Sequence, residues 1–250
     1  MVSGPGTPEQ ARQTLPSSPV PSVPTAASEP LTLADGRTAE ITALGARESG
    51  LASRIAAELD GAADAVTAFW GDDWPRHLVI VLTGTDEQFR TLGVGGPDIA
   101  ATTTAERTVF APGAADMTDT SLRIVLRHEL FHYAARSATA ADAPRWLTEG
   151  VADYVGRPAT AVPGPARAAE LAVLPTDADL DTEGPTRSLG YDRAWWFSRF
   201  VADRYGPATL RELYLAACGV GHPDADTAIR TVLGADTRQV LSAWRAWLAG

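Results

Sequence analysis

The chain has 250 residues, a hydrophobic fraction of 45% and a net charge of −10. That length and apolar content suffice for one large domain or two lobes around a shared cleft, while the acidic balance argues against a nucleic-acid binder, which would want a basic face. No stretch reaches the roughly 18 consecutive apolar residues of a membrane-spanning helix, and the single cysteine, Cys218, excludes both an internal disulfide and a cysteine-based zinc cluster.

Residues 1–30 are dominated by Pro, Ser, Gly and Thr. With almost nothing to bury, they read as a disordered tail, and they lack the apolar centre of a signal peptide. Tails of this kind tether exported domains, so an export segment or anchor is expected upstream. The expected location is extracellular or in the cell envelope, with the cytoplasm as the alternative. Residues 31–115 alternate strand and helix signals and predict an α+β lobe. "TAEITAL" reads as a strand. "ESGLASRIAAELDGAADAVTAFWG" carries Leu51, Ile55, Leu59, Val66, Phe69 and Trp70 at helical spacing. "HLVIVLTG" is a buried strand, "DEQFRTLG" a short helix closed by Gly93, and "IAATTT" and "RTVFAP" two short strands of a hairpin. From 116 to 250 the chain is mainly helical. Helices are expected near 119–137, 144–155, 166–173, 189–205, 207–218, 224–233 and 236–248, with a Pro/Gly-rich connection over 156–190.

Within the first of these helices stands "HELFH", residues 128–132. Side chains at i and i+4 share one helix face, so His128 and His132 can grip a single metal ion. Glu129 is turned by about 100° from His128, beside the ion rather than on it, where it can act as a general base. By chance this pattern arises roughly three times in a thousand chains with four His and twelve Glu. The flanks decide between chance and site. Leu122, Leu126 and Leu130 form an apolar stripe that Ile124 and Phe131 widen, so the helix is buried, and buried imidazoles need polar partners.

A catalytic zinc ion takes three protein ligands and keeps one position open. Downstream, "APRWLTEGVADYVG" begins a helix at Pro144. Glu149 and Asp153 lie four residues apart on one face, opposite Leu147, Val151 and Val155. Glu149 is the candidate third ligand. Asp153 suits the partner that accepts the free ring N–H of a zinc histidine, and Gly150 and Ala152 are expected to let this helix approach the first.

"HELFH", followed by the glutamate of "RWLTEGVADYV", resembles the gluzincin metallopeptidases, and in particular the bacterial peptidase MA-like domains. The resemblance covers about 115–205 and implies a zincin-like α+β fold, a small mixed-sheet lobe before the active-site helix and a mainly helical C-terminal lobe. It implies Zn2+ held by His128, His132 and Glu149, with Glu129 as base and Asp153 orienting a histidine. It also implies that "RTVFAP" forms the cleft edge, where an extended peptide or protein substrate adds a strand. Gluzincins often place a tyrosine over the zinc, and Tyr191, expected to open a helix after a loop, is the candidate for stabilising an oxyanion.

Other signals are weaker. "DADLDTEG" alternates acids, but Thr182 stands where a calcium loop needs Gly, so a solvated loop is expected. His77 and His222 have no metal-spaced partners. "GVGG" (93–96) reads as a plain loop. Trp195, Trp196, Phe197 and Phe200 read as core, as do Cys218 and the stripe of Val240, Leu241, Trp244, Trp247 and Leu248. No G-x-M-E-N type motif for reading a free N-terminus is present, so the expected activity is that of a zinc endopeptidase. The alternative is a non-catalytic, zinc-containing binding or scaffold domain, against which the intact Glu129 argues.

Overall fold

The structure, a computed structural model, describes residues 26–27, 30–45, 48–93 and 99–250. The predicted tail, apart from 26–27 and 30, and residues 94–96 of "GVGG" lie outside these. The fold is α+β.

Among the described residues, six strands form one mixed sheet. Its members are β1 (Ala26–Ala27), β2 (Leu31–Thr32), β3 (Thr38–Ala43), β4 (His77–Leu82), β5 (Ala101–Thr103) and β6 (Thr108–Phe110). The main order is β1-β3-β4-β6-β5, with β2 pairing β3 off this path. β3 and β4 run parallel with Ile41 opposite Ile80, and β4 and β6 run parallel with Val81 opposite Val109. β5 turns back antiparallel on β6, Thr102 opposite Val109.

A parallel pair needs a crossover. Between β3 and β4 it is α1 (Glu48–Trp70), which buries Leu51, Ile55, Leu59, Ala62, Val66 and Trp70 along one stripe. The unbroken apolar run of β4 has the same explanation as its central place. Leu78, Ile80 and Leu82 face the main core, whereas Val81 joins Phe89, Val109 and Ala111 on the other face, beneath α2 (Asp86–Leu92). All three residues of β6 are buried, which fits an interior strand. "RTVFAP" is therefore not the sheet edge. That place belongs to β5 among the described residues, because the hairpin folds outward past β6.

α3 (Asp119–Ala135) follows, capped by Thr118, whose hydroxyl accepts from the Ser121 N–H at 3.1 Å. It packs between α1 and α4 (Arg145–Gly156). Then come α5 (Pro165–Leu171), α6 (Asp177–Asp181), α7 (Pro185–Tyr205), α8 (Pro207–Cys218), α9 (Ala225–Leu233) and α10 (Thr237–Ala249). The connection predicted over 156–190 thus contains α6 and the first turn of α7 as well as α5. Thr176 and Asp179 form a reciprocal capping box on α6. Gly184, at φ 84°, precedes Pro185 at the first position of α7. The acids of "DADLDTEG" accordingly lie on and just after a helix rather than in an open loop.

α4 runs between α3 and α7. A Cβ on Gly150 would stand 2.5 Å from the Ala194 carbonyl oxygen of α7, and one on Gly156 2.8 Å from that of Ile124 in α3. Close approach to α3 is therefore the work of Gly156, while Gly150 seats the helix on α7. Trp195, Trp196, Phe197 and Phe200 are core, as is Cys218, and Trp244 meets Phe197 edge-on at 5.3 Å. Among the described residues no helix is long and apolar enough to cross a membrane.

Candidate metal centre

α3 delivers His128 and His132 from one face, and α4 brings Glu149 against them. The ring nitrogens His128 Nε2 and His132 Nε2 are 3.1 Å apart. Glu149 Oε2 lies 3.3 Å from the first and Glu149 Oε1 3.5 Å from the second. Each side chain is largely withdrawn from water, with 15, 22 and 18% of it exposed. The three form the one His/Cys/Asp/Glu cluster of metal-ligating type among the described residues.

The orientation of His128 is fixed from behind. Its Nδ1–H donates to Asp153 Oδ1 at 3.0 Å, which leaves Nε2 as the ring atom turned toward the other two groups. Asp153 is itself buried, at 5% exposure. Burial opposes charge on the His128 ring, but Asp153 and Glu149 outweigh it and hold its pKa well above the usual range. Burial lowers that of His132. Burial also works against a charged Glu149, yet hydrogen bonding from His128 and the nearby rings bring its carboxyl down to about 2. These groups favour positive charge at the point where they converge.

The residues fit zinc. A tetrahedral ion with bonds of about 2.05 Å to N and O ligands sets its ligands about 3.3 Å apart. The two ring nitrogens are 3.1 Å apart, and one ligand atom from each of the three residues lies within 4.8 Å of the others, close enough for one ion to gather them. Donor chemistry agrees, since two imidazoles and one carboxylate are a frequent catalytic zinc set.

Solved structures of M1 zinc metallopeptidases are similar to the chain. A two-domain M1 zinc metallopeptidase mutant bound to L-arginine is 17% identical, with a TM-score of 0.49 over 90% of this chain and 51% of that one. An M1 zinc metallopeptidase mutant from Deinococcus radiodurans is 19% identical, with a TM-score of 0.49 over 88% and 51%. A two-domain M1 mutant bound to L-tryptophan is 18% identical, with a TM-score of 0.44 over 90% and 51%. The chain spans about half the length of each. No family model matches it, and no curated protein matches it.

Glu129 sits beside the triangle and is 7% exposed. Its Oε2 accepts from the Thr103 hydroxyl at 2.7 Å, and that hydroxyl also lies 3.0 Å from Thr108 Oγ1. Thr103 belongs to β5, so the sheet edge fixes one oxygen of the carboxylate. Nothing in the local sequence marks Thr103, which is 26 residues from its partner.

Tyr191 is the seventh residue of α7 rather than its opening residue, because the helix begins at Pro185. Its phenol is half-buried near Glu149. Burial, reinforced by that carboxylate, pushes the phenol up to about 12, so it stays protonated and able to donate at neutral pH. Nearby, α4 has no side-chain cap of its own at Pro144. Asp177 of α6 supplies one, accepting from the Arg145 and Trp146 backbone N–H groups at 3.2 and 2.9 Å. Arg145 also pairs with Asp181 at 2.6 Å. The "DADLDTEG" acids therefore secure the start of the helix that carries Glu149. His77 is half-exposed beside Thr38, and His222 lies at Asp142, both outside the cluster.

Proposed function

We propose that the chain is a zinc-dependent peptidase of the gluzincin type that cleaves within extended peptide or protein substrates. The observation that carries this reading is the convergence of His128 Nε2, His132 Nε2 and the Glu149 carboxylate, with Glu129 alongside but not part of it. His128, His132 and Glu149 would hold the ion. Bound there, zinc supplies Lewis acidity toward the scissile carbonyl and makes a water molecule far more acidic.

The chain's own residues supply the rest. Glu129 takes a proton from the attacking water and returns it to the leaving amine. The Thr103 hydroxyl holds one carboxylate oxygen and leaves the other free for that transfer. Tyr191, kept protonated, donates to the oxygen that gathers charge as the carbonyl becomes tetrahedral. Edge strand β5 gives an extended substrate a place to pair, so the peptide would run past Glu129.

Glu129→Gln is expected to keep stoichiometric zinc while hydrolysis falls at least about 100-fold, in line with the loss of a general base. His128→Ala should lose both metal and hydrolysis. Metal analysis and peptide-library cleavage read the two outcomes. Wild-type protein that carries no stoichiometric metal after gentle purification, and takes up none when zinc is supplied, would sink the proposal.

A further inference from the structure

Glu149, Asp153 and Arg157 follow one another at intervals of four. Glu149 faces the triangle, and Asp153 receives the His128 Nδ1–H through one oxygen. The other oxygen of Asp153 lies 2.6 Å from Arg157 Nη2, at an angle outside hydrogen-bonding geometry, so the contact is an ion pair. A carboxylate buried this deeply is costly unless its charge is answered. The His128 ring answers one oxygen, and the Arg157 guanidinium lies against the other.

Arg157 is held on several sides. Its backbone N–H donates to the Asp153 carbonyl at 2.8 Å, closing the last turn of α4. Its Nη1 lies 3.4 Å from Asp192 Oδ1 on α7, one residue beyond Tyr191. Its guanidinium stacks over the Trp195 ring at 4.9 Å. Gly156 makes this placement possible. A Cβ there would stand 2.8 Å from the Ile124 carbonyl oxygen and 3.4 Å from the His128 nitrogen, so any side chain would push the end of α4 away from the zinc helix.

We propose that Arg157 is a positioning residue of the zinc site. Through Asp153 it keeps the His128 ring turned with Nε2 toward His132 and Glu149, and through Asp192 it ties α4 to the helix that carries Tyr191. The planar guanidinium fork spans both carboxylates, which a lysine ammonium does not. Without it, Asp153 has reason to leave its buried place. Arg157 lines an open cleft of about 370 Å³ with Phe69, Tyr154, Arg199 and Asp203, which gives the released carboxylate access to water. The inference rests on the reading of the triangle as a zinc site.

The test measures zinc affinity by competition with a chromophoric chelator, together with the visible spectrum of the cobalt-substituted protein. Asp153→Asn is expected to weaken zinc by about 10–100-fold, the usual cost of removing a ligand's hydrogen-bond partner. Arg157→Gln should weaken it about tenfold and shift the cobalt bands, with Arg157→Lys between Arg157→Gln and wild type. If Arg157 acts through Asp153, the double variant binds zinc no more weakly than Asp153→Asn alone. Additive losses in the double variant, or unchanged affinity in a folded Arg157→Gln protein, would overturn the proposal. Should Arg157→Gln fail to fold, the lysine variant carries the same comparison. Zinc binding as tight in His128→Ala as in wild type would instead overturn the zinc reading, which separates the two failures.

Discussion

Arg37 and the His128–His132–Glu149 triangle are both polar groups sunk into apolar surroundings, and the protein treats them in opposite ways. Arg37 is 1% exposed, yet every nitrogen of its guanidinium has a partner. Nη1 pairs with Asp35, Nε donates to the Pro75 carbonyl at 3.3 Å, Nη2 donates to the Asp72 carbonyl at 3.0 Å, and the Trp74 ring lies beneath at 3.6 Å. The result is a lock between the turn before β3 and the loop before β4. At the triangle, two imidazoles and one carboxylate turn their nitrogens and oxygens toward one another. A buried polar group completed by its neighbours belongs to the fold. One that turns several metal-ligating atoms toward a single point suggests something the chain must bind.

Substitutions can pull these two cases apart. The largest expected effect is that of His132→Ala, which should abolish stoichiometric zinc and hydrolysis while leaving the unfolding midpoint of chelator-treated protein close to that of wild type. Arg37→Met should do the reverse. It removes a nearly fully paired guanidinium and is expected to cost about 2–3 kcal/mol in denaturant unfolding. That is somewhat below the figure for a fully buried pair, because Asp35 keeps 26% of its side chain in water. Its zinc-to-protein ratio should not change. A variant that lost both properties at either position would erase the distinction. Thr103→Val sharpens it within the site. Glu129 is completed by the Thr103 hydroxyl, so the variant should keep zinc and lose about tenfold in kcat, the worth of one hydrogen bond to a charged group. Thr103→Ser should restore most of it.

The smallest effect is in acid. Burial raises the Asp35 carboxyl, but the Arg37 backbone N–H and guanidinium outweigh it and leave the carboxyl below its usual range. A group whose folded pKa is depressed stabilises above its unfolded value, near pH 4, and that share is lost as pH falls through the folded value. Arg37→Met should therefore show a shallower loss of stability below about pH 4 than wild type.

Local pattern made much of this legible. The helix face of α3, the i, i+4 histidines and the matching spacing of Glu149 and Asp153 are short-range facts, and α1 and β4 announce themselves through periodicity and an apolar run. What escaped depended on distance. The edge role of β5 follows from strand order, which neither hairpin strand encodes alone. Gly150 and Gly156 could be told apart only once α4 was rotated between α3 and α7. Thr103 acts across 26 residues, and the partners of Arg37 reach to Pro75, 38 residues away. α6 and the first turn of α7 escaped for another reason. Gly, Pro and acidic residues suggested an open connection, although Thr176 with Asp179 and Gly184 before Pro185 are signals for starting helices.

The cap that Asp177 places on α4 gives those missed residues a kinetic meaning. The first turn of the helix that carries Glu149 is completed by side-chain oxygens arriving from 31 and 32 residues farther along. Amide exchange at Arg145 and Trp146 would thus be timed by the opening of the 176–181 segment rather than by fraying of α4 itself. The triangle would reach its final dimensions only after that segment has folded over the start of α4.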